Sequence, residues 1–308
     1  MIVSASYKTD IPAFYGDWFL NRLKAGFCRV VNPYNSRDRH VSLLPRDVDG
    51  IVFWTKNIGP MLDMLPQVAD MGHCFYVQHG VTGYPRALEL SVTPPEKAVG
   101  HILRLAERFG PRCVVWRYDP IVITDLTPLA WHIETFSALA SRLRGSVDEV
   151  VVSFAHFYHK TLKNMDRSAR THGFGFRDPS DEEKRDLLTG LSAIARSHGV
   201  QLTVCAQPAL VPATAKSSRC VDALRLSDLK GFPIRGSRAG NRRGCGCDQS
   251  VDVGEYDTCP HGCVYCYAVR HRDLARQRHR AHDPQGEFLF APAHVAASPA
   301  RAEQLKLF

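Results

Sequence analysis

The chain has 308 residues, 44% of them hydrophobic and 23% charged, and a formal net charge of +8. That length supports one large buried core, and no stretch approaches the run of about 20 apolar residues that a membrane-spanning helix needs. The opening MIVSASYKTD lacks a charged region followed by a long apolar run, so no secretory signal is expected; the expected location is cytoplasmic, with no membrane partner.

Short β-rich apolar runs alternate with longer helical patterns. Candidate strands cover 2–6, 29–32, 50–54, 74–78, 113–118, 149–154 and 201–205; candidate helices cover 13–24, 60–71, 95–109, 128–143 and 181–198. Such alternation is the pattern of βα units and a parallel sheet. The edges agree: Pro95 opens a helix, Gly110 and Pro111 close it, and Ser180 precedes an acidic first turn. Runs such as IVFW, CVVW and VVVSF are apolar on both faces and need cover on both. Seven or so units predict an α/β fold built as a (β/α) barrel, full or partial, with an open doubly wound sheet as the alternative. From about Asp228 the composition turns to KGFPIRGSRAGNRRGCGC, which reads as loop. A further strand over 250–256 leads into CPHGCVYCYA, and a basic helix is expected over 267–281. A single domain is expected over 1–282, with a cysteine-rich cluster region at about 205–266, followed by a partly disordered tail over 283–308.

In a parallel barrel the chemistry gathers at the carboxyl ends of the strands. Ser4, Ser6, Lys8, Thr9 and Asp10 follow the first run, Asn32 and Asn35 the second, Thr55, Lys56 and Asn57 the third, and Gln78 and His79 the fourth. Arg117 and Asp119 end the fifth, His156 follows the sixth and Gln207 the seventh. Loops are polar through solvation alone. Lys56 and Arg117 stand out because each follows an apolar run directly. Lys56, Arg117, Asp119 and His156 are the candidate catalytic residues, placed to orient a substrate or move protons.

Ten cysteines in a reducing compartment point to metal or catalysis more than to disulfides. Cys28, Cys74 and Cys113 sit at strand starts and read as packing, whereas the other seven crowd into one later stretch. Cys259, Cys263 and Cys266 form CxxxCxxC, a spacing that suits three corners of a cubane better than tetrahedral zinc, whose modules usually pair CxxC twice. Three thiolates leave one iron of a 4Fe-4S cluster without a protein ligand, and an open iron can chelate the amino and carboxylate groups of S-adenosylmethionine. His261, inside the motif, reads as a loop residue making a backbone hydrogen bond rather than as a ligand. Cys205, Cys220, Cys245 and Cys247 make the four thiols that fully ligate an auxiliary cluster. A second 4Fe-4S cluster, a structural zinc and unligated thiols all stay open for them, with the CxC pair the strongest part.

CxxxCxxC with Tyr265 before its last cysteine resembles the radical S-adenosylmethionine superfamily, and the YCY segment resembles the cluster loop of the spore photoproduct lyase branch. KTDIPAFY, VFWTKN, WRYDP and VDVGEYDTCPHGCVYCYA, in this order, resemble the DUF1848 family over most of the chain. The resemblance implies a three-cysteine 4Fe-4S cluster and S-adenosylmethionine as cofactors, Tyr265 packed near the adenine, and a flavodoxin or ferredoxin as electron donor. It implies an enzyme that generates a 5′-deoxyadenosyl radical to abstract hydrogen from a substrate, whether small molecule, peptide or nucleic acid. Barrels of that superfamily usually carry the cysteine loop after their first strand. Circular permutation reconciles this chain with them, 250–256 acting as the first strand and 2–6 as the second. The superfamily's GGE signature is absent after 2–6, so Ser4, Ser6 and Lys8, with Lys56, are the remaining candidate cofactor contacts. The alternative is an Fe-S- or zinc-stabilised nucleic-acid-binding protein, with Arg235, Arg238, Arg242, Arg243, Arg270, Arg272, Arg276, Arg278 and Arg280 gripping phosphates. A three-thiolate cluster, at roughly −1 net, would offset part of that basicity.

Overall fold

The computed structural model describes residues 1–31, 37–240 and 242–291. In chain order the elements are β1 (Ile2–Ala5), α1 (Ile11–Phe14), α2 (Gly16–Ala25), β2 (Phe27–Val31), β3 (Asp38–Ser42), β4 (Gly50–Thr55), α3 (Leu65–Asp70), β5 (Phe75–Gly80), α4 (Pro95–Phe109), β6 (Val114–Ile121) and β7 (Ile123–Thr124). There follow α5 (Leu129–Leu143), β8 (Glu149–Phe154), α6 (His159–His172), β9 (Phe176–Arg177), α7 (Asp181–Ser197), β10 (Gln201–Val204), β11 (Lys216–Ser217), α8 (Ala223–Lys230), β12 (Ser250–Asp252) and α9 (Arg272–Arg280).

Eight strands form one sheet in the order β11-β10-β8-β6-β5-β4-β1-β12, and every pairing in it is parallel. The late strand β12 lies beside β1, with Ile2 opposite Ser250, which is the neighbour relation expected of 250–256 and 2–6. Among the described residues β11 and β12 do not pair with each other, so the hydrogen-bonded ring of a complete barrel is not closed.

Side chains alternate between the two faces of each strand, and both faces are covered, as the apolar runs require. On one face Val3, Ile51, Phe53, Val77, Trp116 and Val150 share a core with Ile102 of α4, Phe136 of α5 and Leu191 of α7. On the other face Ile2, Val52, Tyr76, Val115 and Val151 pack under Cys220, Val221, Leu226, Ile234 and Cys247. The segment covering this second face is pinned by Arg225 of α8, which is fully buried. Its guanidinium donates to Asp148 Oδ1 at 2.9 Å, Glu149 Oε2 at 2.7 Å and the Arg112 carbonyl at 2.7 Å.

Several elements depart from expectation. The run 29–32 belongs not to the main sheet but to an antiparallel hairpin, β2 with β3, in which Cys28 faces Val41; Asn32 and Asn35 lie outside the described residues. The helix expected over 60–71 breaks into a 3-10 turn, Gly59–Met61, and the short α3. The strand expected over 250–256 ends at Asp252, because its own carboxylate accepts from the Gly254 N–H and turns the chain. The basic helix starts at Arg272 rather than 267, since the chain just before it is held by the return of the cysteine loop. Residues 283–291 pack against α2: Trp18 Nε1 donates to the Gly286 carbonyl at 2.9 Å, and Phe288 and Leu289 are buried. The rest of the expected tail, 292–308, lies outside the described residues. Among the described residues no helix is long and apolar enough to cross a membrane.

Candidate functional site

Asp252 ends β12 at the point where the cysteine loop departs. Its buried carboxylate accepts from Ser4 Oγ at 2.8 Å, Ser6 Oγ at 2.7 Å and the N–H groups of Tyr7 and Gly254 at 3.0 Å each. Lys8 Nζ completes the surround at 3.5 Å. Ser4, Ser6 and Lys8 are therefore tied to Asp252 and clamp β1 to β12. Trp54 Nε1 donates to Ser4 Oγ at 3.1 Å and joins β4 to the same knot. Gly254 is required by close approach: a Cβ there would lie 2.1 Å from Ser6 Oγ.

The loop that follows is closed at its base and zipped along its side. Asp257 donates its N–H to the Ala268 carbonyl at 3.0 Å, and its carboxylate accepts from Arg270 N at 2.6 Å and Nε at 2.7 Å. The Val264 N–H reaches the Leu88 carbonyl at 3.0 Å, and the Ser91 N–H reaches the His261 carbonyl at 2.9 Å. Between these contacts Gly262 turns at φ +77°, a conformation that L side chains rarely adopt. The result is that Cys259, Cys263 and Cys266 all line one cavity of about 210 Å³.

Burial pushes all three thiols up; Asp10 adds to this at Cys259 and Glu89 at Cys263. Protonated thiols in such a place must release their protons to solvent or a base as a metal binds. Among the described residues, no three His, Cys, Asp or Glu side chains converge as a set that could hold a single metal ion. Both ring nitrogens of His261 have partners: Nε2 meets Asp10 Oδ2 at 2.8 Å, and Nδ1 lies 3.5 Å from the Ser91 carbonyl. Asp10 also accepts from the Lys56 N–H at 2.7 Å and caps α1 through Ala13 N at 3.0 Å.

Lys56 and Tyr265 meet at one buried carboxylate. Lys56 Nζ lies 2.6 Å from Glu89 Oε1, the same oxygen accepts from Thr82 Oγ1 at 2.9 Å, and the Tyr265 hydroxyl donates to it as well. Burial works against the Lys56 charge, but Glu89, aided by Cys263, more than offsets it and holds the ammonium above its usual range. Arg117 and Asp119 form a two-pronged pair at 2.8 and 2.6 Å. Arg117 also reaches Gln78 Oε1 at 3.0 Å and Cys220 Sγ at 3.1 Å, so this pair faces the second cysteine group. His156 is exposed, and burial of part of its ring, with Arg242 nearby, lowers its pKa.

In that second group the sulfurs of Cys205 and Cys220 stand 3.6 Å apart, and Cys247 Sγ accepts from the Val221 N–H at 3.4 Å. Cys28 and Cys113 are buried in the fold, and Cys74 Sγ lies 3.8 Å from the Leu226 carbonyl. Sequence reasoning passed over Glu89 and Asp252. The sequence places Asp252 within a strand over 250–256, and only the shorter β12 puts it at a strand end. Glu89 carries no sequence signal, because only the zipper between 88–91 and 261–264 brings it to the site.

A family model described as a domain of unknown function (DUF1848) matches residues 2–268. No curated protein and no solved structure matches the chain.

Proposed function

The chain belongs to the DUF1848 family, and we propose that it holds a 4Fe-4S cluster on Cys259, Cys263 and Cys266 and acts as a radical S-adenosylmethionine enzyme. The observation that carries this reading is the shared cavity: three thiols from one anchored loop line a space of about 210 Å³. A polynuclear cluster takes its ligands on separate irons, so spaced thiols along one cavity suit it, whereas a single ion needs them gathered at one point. The donor set is soft sulfur throughout, His261 being occupied by Asp10. The sheet order supports the reading too. Read from β12, the neighbours follow as β1, β4, β5, β6, β8, β10 and β11, the order expected of an incomplete (β/α) barrel whose first strand arrives last in the chain.

When bound, such a cluster supplies the electron, received from a flavodoxin- or ferredoxin-type donor, that cleaves a sulfonium C–S bond of S-adenosylmethionine. The chain's own residues prepare the place. Lys56 sets a positive charge beside Cys263, and Glu89 fixes both that charge and the Tyr265 ring. Asp252 holds Ser4, Ser6 and Lys8 in position at the strand end next to the loop. Arg117 and Asp119, within β6, are the charged pair available to orient a substrate. Anaerobic reconstitution followed by dithionite and S-adenosylmethionine should release 5′-deoxyadenosine, and the paramagnetic resonance of the reduced cluster should change when the cofactor is added. Cys263→Ala should abolish both signals. Protein that contains only zinc at this loop, or a cluster spectrum indifferent to the cofactor, overturns the reading.

A further inference from the structure

Cys205, Cys220, Cys245 and Cys247 come from three places in the chain and meet on the second face of the sheet. Cys205 follows β10 directly, its N–H bonded to the Val152 carbonyl at 2.8 Å. Cys220 follows β11, which pairs with β10. Cys247 is buried against them, held through Val221 N. The sulfurs of Cys205 and Cys220 are 3.6 Å apart, and Cys247 Sγ lies 3.4 Å from the N–H of Val221, the residue after Cys220. Cys205 and Cys245 pack against the same apolar cluster that holds Cys220 and Cys247. Tetrahedral zinc with Zn–S bonds of about 2.3 Å puts its sulfurs about 3.8 Å apart. The Cys205 to Cys220 separation matches that edge. A cubane sets its ligand sulfurs on separate irons and spreads them much wider.

We propose that these four cysteines form a closed tetrathiolate site for one divalent ion of the zinc class, distinct from the cluster loop. The four sulfurs do not surround a single point among the described residues; binding of the ion requires the partly exposed Cys205 and Cys245 side chains to turn towards the buried Cys220 and Cys247. The ion displaces four thiol protons to solvent and leaves a centre of net charge about −2, which needs cationic and N–H donors around it. They are present. Arg117 reaches Cys220 Sγ at 3.1 Å, Arg242 reaches Cys205 Sγ at 3.8 Å, Ser218 Oγ lies 3.1 Å from Cys220 Sγ, and Val221 N serves Cys247. With four protein ligands the ion has no open position, so its role is to staple the segment that covers the second face.

The test uses the full chain with Cys259, Cys263 and Cys266 all changed to Ala. The expected result is about one zinc per chain, four thiols protected from modification until a chelator is added, and no acid-labile sulfide. Cys245→Ser with Cys247→Ser in the otherwise native chain should lose that ion and keep the labile sulfide of the other loop. Should either variant fail to fold, native apoprotein loaded with cobalt(II) alone should show the visible bands of a tetrahedral cobalt thiolate. Labile sulfide retained by the triple variant, absence of any retained ion, or a cobalt spectrum without thiolate ligation overturns the proposal. The zinc content, thiol protection and labile-sulfide content of the triple variant do not depend on whether the first loop of the native chain carries a cluster.

Discussion

Asp252 shows how much one buried carboxylate can organise. It accepts four hydrogen bonds of 2.7–3.0 Å and faces Lys8, and every donor comes from the two chain segments it joins. Asp252→Ala leaves those donors unpaired in a buried place and should cost about 3 kcal/mol of stability in a urea titration; a loss below about 1 kcal/mol would mean that water replaces it. Asp252→Asn, which keeps the shape and part of the acceptor set, should recover some of the loss. At this scale the sequence was legible where a residue type and its spacing carry the chemistry themselves, as with Cys259, Cys263 and Cys266. It was not legible at Glu89, whose importance exists only once 88–91 meets 261–264.

Elements were read well where their ends are written locally. The helix expected from Asp181 has the reciprocal Ser180 and Glu183 cap, and α4 runs from Pro95 to Phe109 as the Pro and Gly signals require. Elements stabilised only by distant partners escaped. The helix α6 buries Thr161, Met165 and Ser168, and with one apolar side chain among the three it lacks the apolar repeat by which a core-facing helix is recognised; α8 lies at the border of a segment that reads as loop. What fixes α8 is Arg225, so its removal should be severe. Arg225→Ala leaves buried Glu149 with the Thr203 hydroxyl but no ionic partner and Asp148 with Arg112 alone, and should cost about 3 kcal/mol. Arg225→Lys should recover little, since one ammonium cannot serve Asp148, Glu149 and the Arg112 carbonyl together. Differential scanning calorimetry of the two variants measures both.

The whole molecule should be labile to acid through a histidine far from the cysteines. His132 of α5 is fully buried; its Nε2 donates to the Val122 carbonyl at 3.1 Å, and its Nδ1 accepts from the Tyr118 hydroxyl at 2.9 Å. Burial lowers its pKa from 6.5 to about 4, the Val122 hydrogen bond opposing only in part. The unfolded chain therefore takes up the proton first, and stability should decline as pH falls from about 6.5 towards 4. His79, lowered to about 3 by burial and His101, acts in the same direction. His132→Gln should be less stable at neutral pH yet show a shallower loss across that window in chemical denaturation; an unchanged slope would remove His132 from the account.

The partnership of β12 with β1 also dictates when the protein can mature. During synthesis β1 leaves the ribosome long before the strand that completes its exposed edge and the thiol loop that follows it. Until then Ser4 and Ser6 lack the Asp252 acceptor, and the loop has no base to stand on. Insertion of any inorganic group at that loop must therefore wait until β12 has been made and docked, a checkpoint on biosynthesis written into strand order.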